Sequence, residues 1–294
     1  RIFVGELSLD GGVRAAKGVL SIAKAAHKNG FREIYVPKEN AREAALIKGL
    51  AVFGVEALGD CVDHLTGKRL LKKEPPTEID FYKNDWSADF ADIKGQETAK
   101  RALEIAAAGG HNVALYGPPG TGKTMLARAF GSILPPLSFD EMLEVTEIHS
   151  IAGALGQNLL TERPFRSPHH TSSYVAIVGG GTNPKPGEIT LAHRGILFLD
   201  EFAEFETRVI ESLRQPLEER FVTVSRARGT IKFPAQFILV AAMNPCPCGN
   251  AGIKGRVCTC SAMAVERYKR KLSGPIIDRI DIWGEVSKVD HDKL

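Results

Sequence analysis

The sequence predicts an α/β fold in which a parallel sheet carries helices on both faces. Three observations predict it: short apolar runs at 112–116, 196–199 and 237–242, helical stretches between them, and a glycine-rich turn joining the first run to a helix. Strands that are apolar along their whole length are buried on both faces, and alternation with helices supplies that cover. At 294 residues the chain exceeds what a single core usually sustains, so about two domains are expected.

Taken in order, residues 2–9 read as a strand, Asp10-Gly11-Gly12 as a turn, and the stretch to about Asn29 as an amphipathic helix. Residues 31–36 form a second strand closed by Pro37, 41–49 a helix and 51–58 a strand. This α/β piece occupies 1–66. Residues 67–88 hold Lys68-Arg69, Lys72-Lys73 and Pro75-Pro76 without helical or strand periodicity, and read as an interdomain linker. The second domain, 89–294, starts with a helix over 93–108, followed by the strand 112–116, a helix over 121–133 and the two remaining apolar strands. The chain opens directly in a strand with no initiator Met, as a fragment of a longer protein would.

Apolar content of 44% with 25% charged residues fits a soluble globular chain with a real core. A net charge of +3 demands no polyanionic partner, so a nucleic-acid role has to rest on local clusters. No stretch reaches the ~20 apolar residues of a membrane span, and the N-terminus lacks a signal pattern; a cytoplasmic location is expected. Five cysteines, four of them between Cys246 and Cys260, make a poor secreted disulfide framework and a better metal site. The fifth, Cys61, reads as a small buried apolar residue.

The chemistry starts at Gly117-Pro118-Pro119-Gly120-Thr121-Gly122-Lys123-Thr124, which follows a buried strand and opens a helix, the context a P-loop needs. Its glycines let backbone N–H groups curl around the phosphates of ATP. Lys123 would reach the β- and γ-phosphates and Thr124 would ligate Mg2+. The apolar strand Ile196–Leu199 ends in Asp200-Glu201, which brings two carboxylates to the same sheet edge. Asp200 would hold Mg2+ through water, and Glu201 would polarise the attacking water. Asn244-Pro245 ends the third apolar strand with an amide, a pattern that also serves plain turns.

Together Ile93-Lys94-Gly95-Gln96, the P-loop, Ile196 to Glu201, Asn244-Pro245 and Ser273-Gly274-Pro275-Ile276-Ile277-Asp278-Arg279-Ile280-Asp281 resemble a magnesium-chelatase-type AAA+ ATPase, from about Asp89 onward. Arg163-Pro164-Phe165-Arg166-Ser167-Pro168-His169-His170 and Asn244-Pro245-Cys246-Pro247-Cys248-Gly249 narrow the resemblance to the ComM/YifB branch. The resemblance implies that Asn244 is sensor 1, orienting the lytic water. It also implies that Arg279 is an arginine finger offered to the neighbouring subunit and that the working unit is a ring, a hexamer. The helical lid carrying the sensor 2 arginine would lie beyond Leu294. Gly5 to Leu9 and Ile34 to Asn40 resemble the second half of a Lon-protease-like domain. Leu20 stands where that family has its catalytic lysine and no serine nucleophile segment is present, so peptidase activity is not expected and Lys17 and Lys24 read as helix surface. The ComM relatives are associated with branch migration, which implies an ATPase that moves along or remodels DNA. The rivals are a chelatase-like remodeller of a protein partner and a binding module switched by ATP.

Five further features stay open on sequence grounds. Residues 221–233 alternate as a hairpin with a basic tip, where Arg226, Arg228 and Lys232 could meet DNA phosphates or simply be solvated. Residues 172–190, with Gly179-Gly180-Gly181 and Lys185, read as a second channel loop. Cys246, Cys248, Cys258 and Cys260 supply the four thiolates of a tetrahedral Zn2+ site, or are reduced loop cysteines. Gln96 and His111 either frame the adenine or cap turns, and His169-His170 invite a metal, a structural or a polynucleotide role.

Overall fold

The computed structural model describes residues 1–77, 86, 88–154, 160–181, 184–226, 229–252 and 256–288, without the side chain of Arg226. The chain forms two compact units, one of Arg1–Phe81 with Ser138–Thr161, the other of Tyr82–Leu137 with Glu162–Leu294.

In the first unit β1 (Ile2–Phe3), β2 (Glu33–Pro37) and β3 (Ala51–Val55) form a parallel sheet in that order. The helix α1 (Val19–Lys28) buries Val19, Leu20, Ala23 and Ala26, a one-sided stripe at helical spacing. Several expected boundaries move. The strand expected over 2–9 breaks at Gly5, where a Cβ would sit 2.7 Å from Val13. Glu6–Leu7 then pairs antiparallel with Val13–Arg14, so the helix starts at Val19, after Gly18 at φ 73°. The helix expected over 41–49 shrinks to Ala41–Ala44. The strand expected over 51–58 ends at Val55, because Asp60 accepts the Ala57 N–H (3.0 Å) and opens α2 (Leu58–Leu65).

The expected linker is also shorter than 67–88. Lys73 bridges to Phe53, the Glu74 N–H bonds the Val52 carbonyl at 2.8 Å, and Thr77 bonds Arg42, all within the first unit. Residues 78–85 and 87 of that stretch lie outside the described residues. A second difference is larger: the helix Phe139–Ala152, assigned by sequence to 89–294, belongs with the first unit. Ser138 and Glu141 cap it reciprocally; Ser150 accepts the Gly18 N–H (3.0 Å), and Lys24 pairs with Glu147 (3.1 Å). Lys24 is thus surface, as expected, but tethered.

The second unit carries α3 (Glu97–Gly109), β4 (Val113–Tyr116), α4 (Lys123–Ala129), β5 (Phe165–Arg166), β6 (Ile196–Leu199), the hairpin β7 (Phe221–Arg226) and β8 (Gly229–Pro234), β9 (Ile238–Met243), α5 (Ala262–Arg270), α6 (Gly274–Ile277) and β10 (Ile282–Glu285). Its sheet is parallel throughout, in the order β10-β4-β9-β6-β5. Alternate residues supply two cores. Ala114, Leu197, Leu199, Leu239 and Ala241 pack with Phe202, Phe205 and Ile210; Val113, Leu115, Phe198, Val240 and Ala242 pack with Leu103, Leu126 and Phe130. Both faces are therefore covered, as uniformly apolar strands require. The chain leaves β4, fills the sheet on one side and returns as β10 on the other, so β4 sits where the strand order reverses and its carboxyl end opens a crevice. Among the described residues, no helix is long and apolar enough to cross a membrane.

Candidate nucleotide site

The loop after β4 is shaped by backbone crowding. A Cβ on Gly117 would lie 2.1 Å from the Val286 carbonyl oxygen, so only glycine passes between β4 and the chain beyond β10. Gly120 (φ 75°) and Gly122 (φ 91°) take the left-handed conformation that curls the loop, and Thr121 Oγ1 donates to the Pro118 carbonyl at 2.9 Å. Such a curl turns successive N–H groups into an anion-binding concavity.

Lys123 is buried to 8% exposure at the start of α4, and its ammonium donates to the carbonyls of Gly117 (2.8 Å) and Pro118 (2.7 Å) and to Asn244 Oδ1 (3.1 Å). Burial pushes its pKa below the ordinary lysine value, and the charge of Asp200 opposes that shift. The Thr124 hydroxyl donates to Asp200 Oδ2 at 2.7 Å, across 76 residues of sequence. The P-loop, the end of β6 and the end of β9 thus converge in one network. A nucleotide with Mg2+ fits these residues: a glycine cradle, a buried cation and a hydroxyl–carboxylate pair of hard oxygen donors.

Glu201 adopts φ 52°, a left-handed conformation that costs a non-glycine residue of order 1 kcal/mol. Its N–H donates to Asp200 Oδ1 (2.9 Å), and its carboxylate lies 3.1 Å from His170 Nδ1. The His170 ring lies tilted against that of His169, with centroids 4.2 Å apart, while His169 turns to Thr171 Oγ1 at 2.8 Å. Sequence reading raised a metal, structural or polynucleotide role for the pair and missed the Glu201 contact.

Gln96 is fixed by two carbonyls, Thr121 (3.1 Å) and Ser287 (2.7 Å), so it straps the P-loop to the segment after β10. His111 faces Asp281 at 3.5 Å. Asn112, buried and missed by sequence, accepts the Leu239 N–H at 2.9 Å and donates Nδ2 to the Arg279 carbonyl at 2.9 Å, while its N–H meets Asp281 at 2.9 Å. A buried amide just before an apolar strand was the available signal. Arg279 does not pair with Asp278 or Asp281: its guanidinium donates to the Pro275 carbonyl (2.8 Å) and to the Glu218 carboxylate.

The cysteines converge. Sγ atoms of Cys246, Cys248 and Cys258 lie 3.4 to 3.7 Å apart, and the four, with Cys260, lie within 4.8 Å of one another. Backbone N–H groups of Asn250 and Thr259 pull the Cys248 thiol down to about 5; the Cys248 backbone N–H pulls Cys260 down as well, but the Cys248 side chain and burial outweigh it and push Cys260 up to about 12.

The hairpin forms in the expected place, with Val222 and Val224 buried. Lys232 lies over the Phe221 ring at 4.5 Å. Arg228 lies outside the described residues, as does the side chain of Arg226. Within 172–190 the structure has short elements in place of one open loop. Tyr174–Val178 is a helix, and Gly179–Gly180 pairs with Lys185–Pro186, leaving room for no Cβ at Gly179, 2.5 Å from the Lys185 carbonyl.

A P-loop strand flanked by the strand that presents Asn244, with Thr124 bonded to Asp200, defines an ATP-binding module of the AAA+ ATPase class. Family models agree: that for magnesium chelatase, subunit ChlI, matches residues 89–294, and a second for subunit ChlI of Mg-chelatase matches 1–40. The chain belongs to this magnesium-chelatase-like family, in its ComM/YifB branch. It is 48% identical to YifB of Salmonella typhimurium over 96% of this chain and 55% of that protein, and 47% identical to YifB of Escherichia coli over the same shares. Competence protein ComM of Haemophilus influenzae is 45% identical over 99% of this chain and 58% of its own length. The chain therefore spans little more than half the length of these relatives.

Proposed function

We propose that this chain is the motor core of a ring-forming ATPase, a cytoplasmic hexamer, that couples ATP hydrolysis to movement along DNA or to DNA remodelling of the branch-migration type. The observation that carries the ATPase part is the network joining Lys123, Asn244, Thr124 and Asp200, with Glu201 at its edge. On this reading Gly117 to Gly122 wrap the phosphates and Lys123 neutralises their β- and γ-oxygens. Thr124 and Asp200 hold Mg2+, which when bound offsets the charge of the transferring phosphoryl group. Glu201 polarises the attacking water, Asn244 orients it, and Arg279 of a neighbouring subunit completes the site. The cofactors on this reading are ATP and Mg2+.

The DNA part is supported by a relative named for competence and by a hairpin whose basic residues Arg226, Arg228 and Lys232 suit phosphates. The rival, remodelling of a protein partner, is favoured by the chelatase family itself. A DNA-stimulated ATPase assay on the full-length protein separates them. Stimulation that falls with salt is expected; turnover indifferent to DNA would move the reading to a protein partner, and no turnover at all would overturn both.

A further inference from the structure

Disulfide sulfurs sit ~2.05 Å apart, so the 3.4 to 3.7 Å separations of Cys246, Cys248 and Cys258 are no disulfide geometry. They are the geometry of a shared ion: four sulfurs at ~2.3 Å from a tetrahedral Zn2+ lie about 3.8 Å from each other. Cys246 is fully buried, its Sγ accepts the Ala251 N–H at 3.3 Å, and the fourth thiol, Cys260, closes the group. A four-sulfur tetrahedron with no open position suits a structural metal.

The knuckle also touches the nucleotide site. Cys246 follows Asn244 by two residues, across Pro245. A Cβ on Gly249 would meet Pro119 Cδ at 2.6 Å, so the knuckle backbone lies directly on the P-loop. Tyr268 of α5 is buried, and burial pushes its hydroxyl up to about 12 while the Asn244 backbone opposes that shift.

We infer that Cys246, Cys248, Cys258 and Cys260 bind one Zn2+, and that this ion is a positioning cofactor: it ties the loop after β9 into a rigid block that sets Asn244 and Pro119 against the phosphates. The ion takes no part in the chemistry. The second half of this inference rests on the nucleotide-site reading; the first does not.

The test uses the full-length protein, purified with reductant and without chelator. Elemental analysis should find about one zinc per chain. Co2+ exchanged into the protein should give the strong visible absorption of a tetrahedral thiolate site. The paired change Cys248→Ser and Cys260→Ser should abolish both signals. Should that variant misfold, a mercurial titration of the parent replaces it, and zinc should leave in step with thiol modification. Zinc-free parent with four reactive thiols, iron in place of zinc, or zinc retained by the double variant would overturn the site. Reversible zinc removal should lower ATP turnover about 10- to 100-fold, with recovery when zinc returns, while ATP affinity changes far less. Unchanged turnover in folded, zinc-free protein overturns the positioning role alone. A zinc-loaded parent with no turnover overturns the ATPase reading and, with it, the positioning half, leaving the metal site standing.

Discussion

Lys123 donates to three oxygens at once, and burial makes that ammonium expensive to hold unless a strongly anionic ligand exploits it. Lys123→Ala is therefore expected to abolish ATP binding, read by titration with a fluorescent ATP analogue. Glu201 makes no bond to the P-loop in this structure, so Glu201→Gln should keep ATP affinity within a few-fold yet lower turnover by about 10² or more. Parental turnover in Glu201→Gln would remove its role as base. The 3.1 Å contact from His170 to Glu201 orients that carboxylate, so His170→Ala should lower kcat about tenfold with little change in ATP affinity. His170→Asn, which can still donate a hydrogen bond, should restore part of the loss. A His170→Ala enzyme with parental kcat would make the contact incidental.

At the scale of elements, the legible parts were those whose physics is local. The strands Val113–Tyr116, Ile196–Leu199 and Ile238–Met243 are apolar on both faces, and the P-loop is one continuous turn, so both could be read directly. β5 and β10 were not, because two residues carry no period and Ile282-Trp283-Gly284-Glu285 mixes apolar and polar residues at a sheet edge. Phe139–Ala152 went unread because it buries Thr146, His149 and Ser150 beside Met142 and Val145, which blurs an amphipathic stripe. The contacts of His170 with Glu201 and of Asn112 with Leu239 join distant stretches of chain, which no local pattern encodes. The backbone of Gly117 makes the sharpest test of an element junction: Gly117→Ala drives a Cβ into the Val286 carbonyl and should cost more than about 2 kcal/mol in denaturant unfolding. The hairpin makes a test of function. Charge reversal at Arg226 and Arg228 should weaken DNA binding for all sequences and reduce the salt slope by about one per lost phosphate contact. Unchanged affinity and slope in a variant with normal basal ATPase would free the hairpin from that role.

For the whole molecule the decisive residue is Arg279, because a ring mechanism needs one subunit to act on the nucleotide of the next. Its guanidinium is held by the Glu218 carboxylate and the Pro275 carbonyl, while the buried Nε has no hydrogen-bond partner. Two roles therefore compete: a strut that fixes α6 within its own chain, or a finger that reaches a neighbour's γ-phosphate. The strut predicts that Glu218→Gln and Arg279→Ala behave alike, both lowering stability. The finger predicts that Arg279→Ala keeps ATP affinity and stability, loses about 10³ or more in turnover, and differs from Glu218→Gln, which retains the guanidinium. Mixing separates them further. Arg279→Ala chains retain an intact P-loop and Lys123→Ala chains retain an intact arginine, so a mixed ring contains some interfaces with both parts present. ATP turnover of the mixture should exceed that of either variant alone and peak near equal proportions. A mixture no faster than the sum of its parts, with chain exchange verified by native mass spectrometry, would place Arg279 in its own subunit and remove the main argument for a ring.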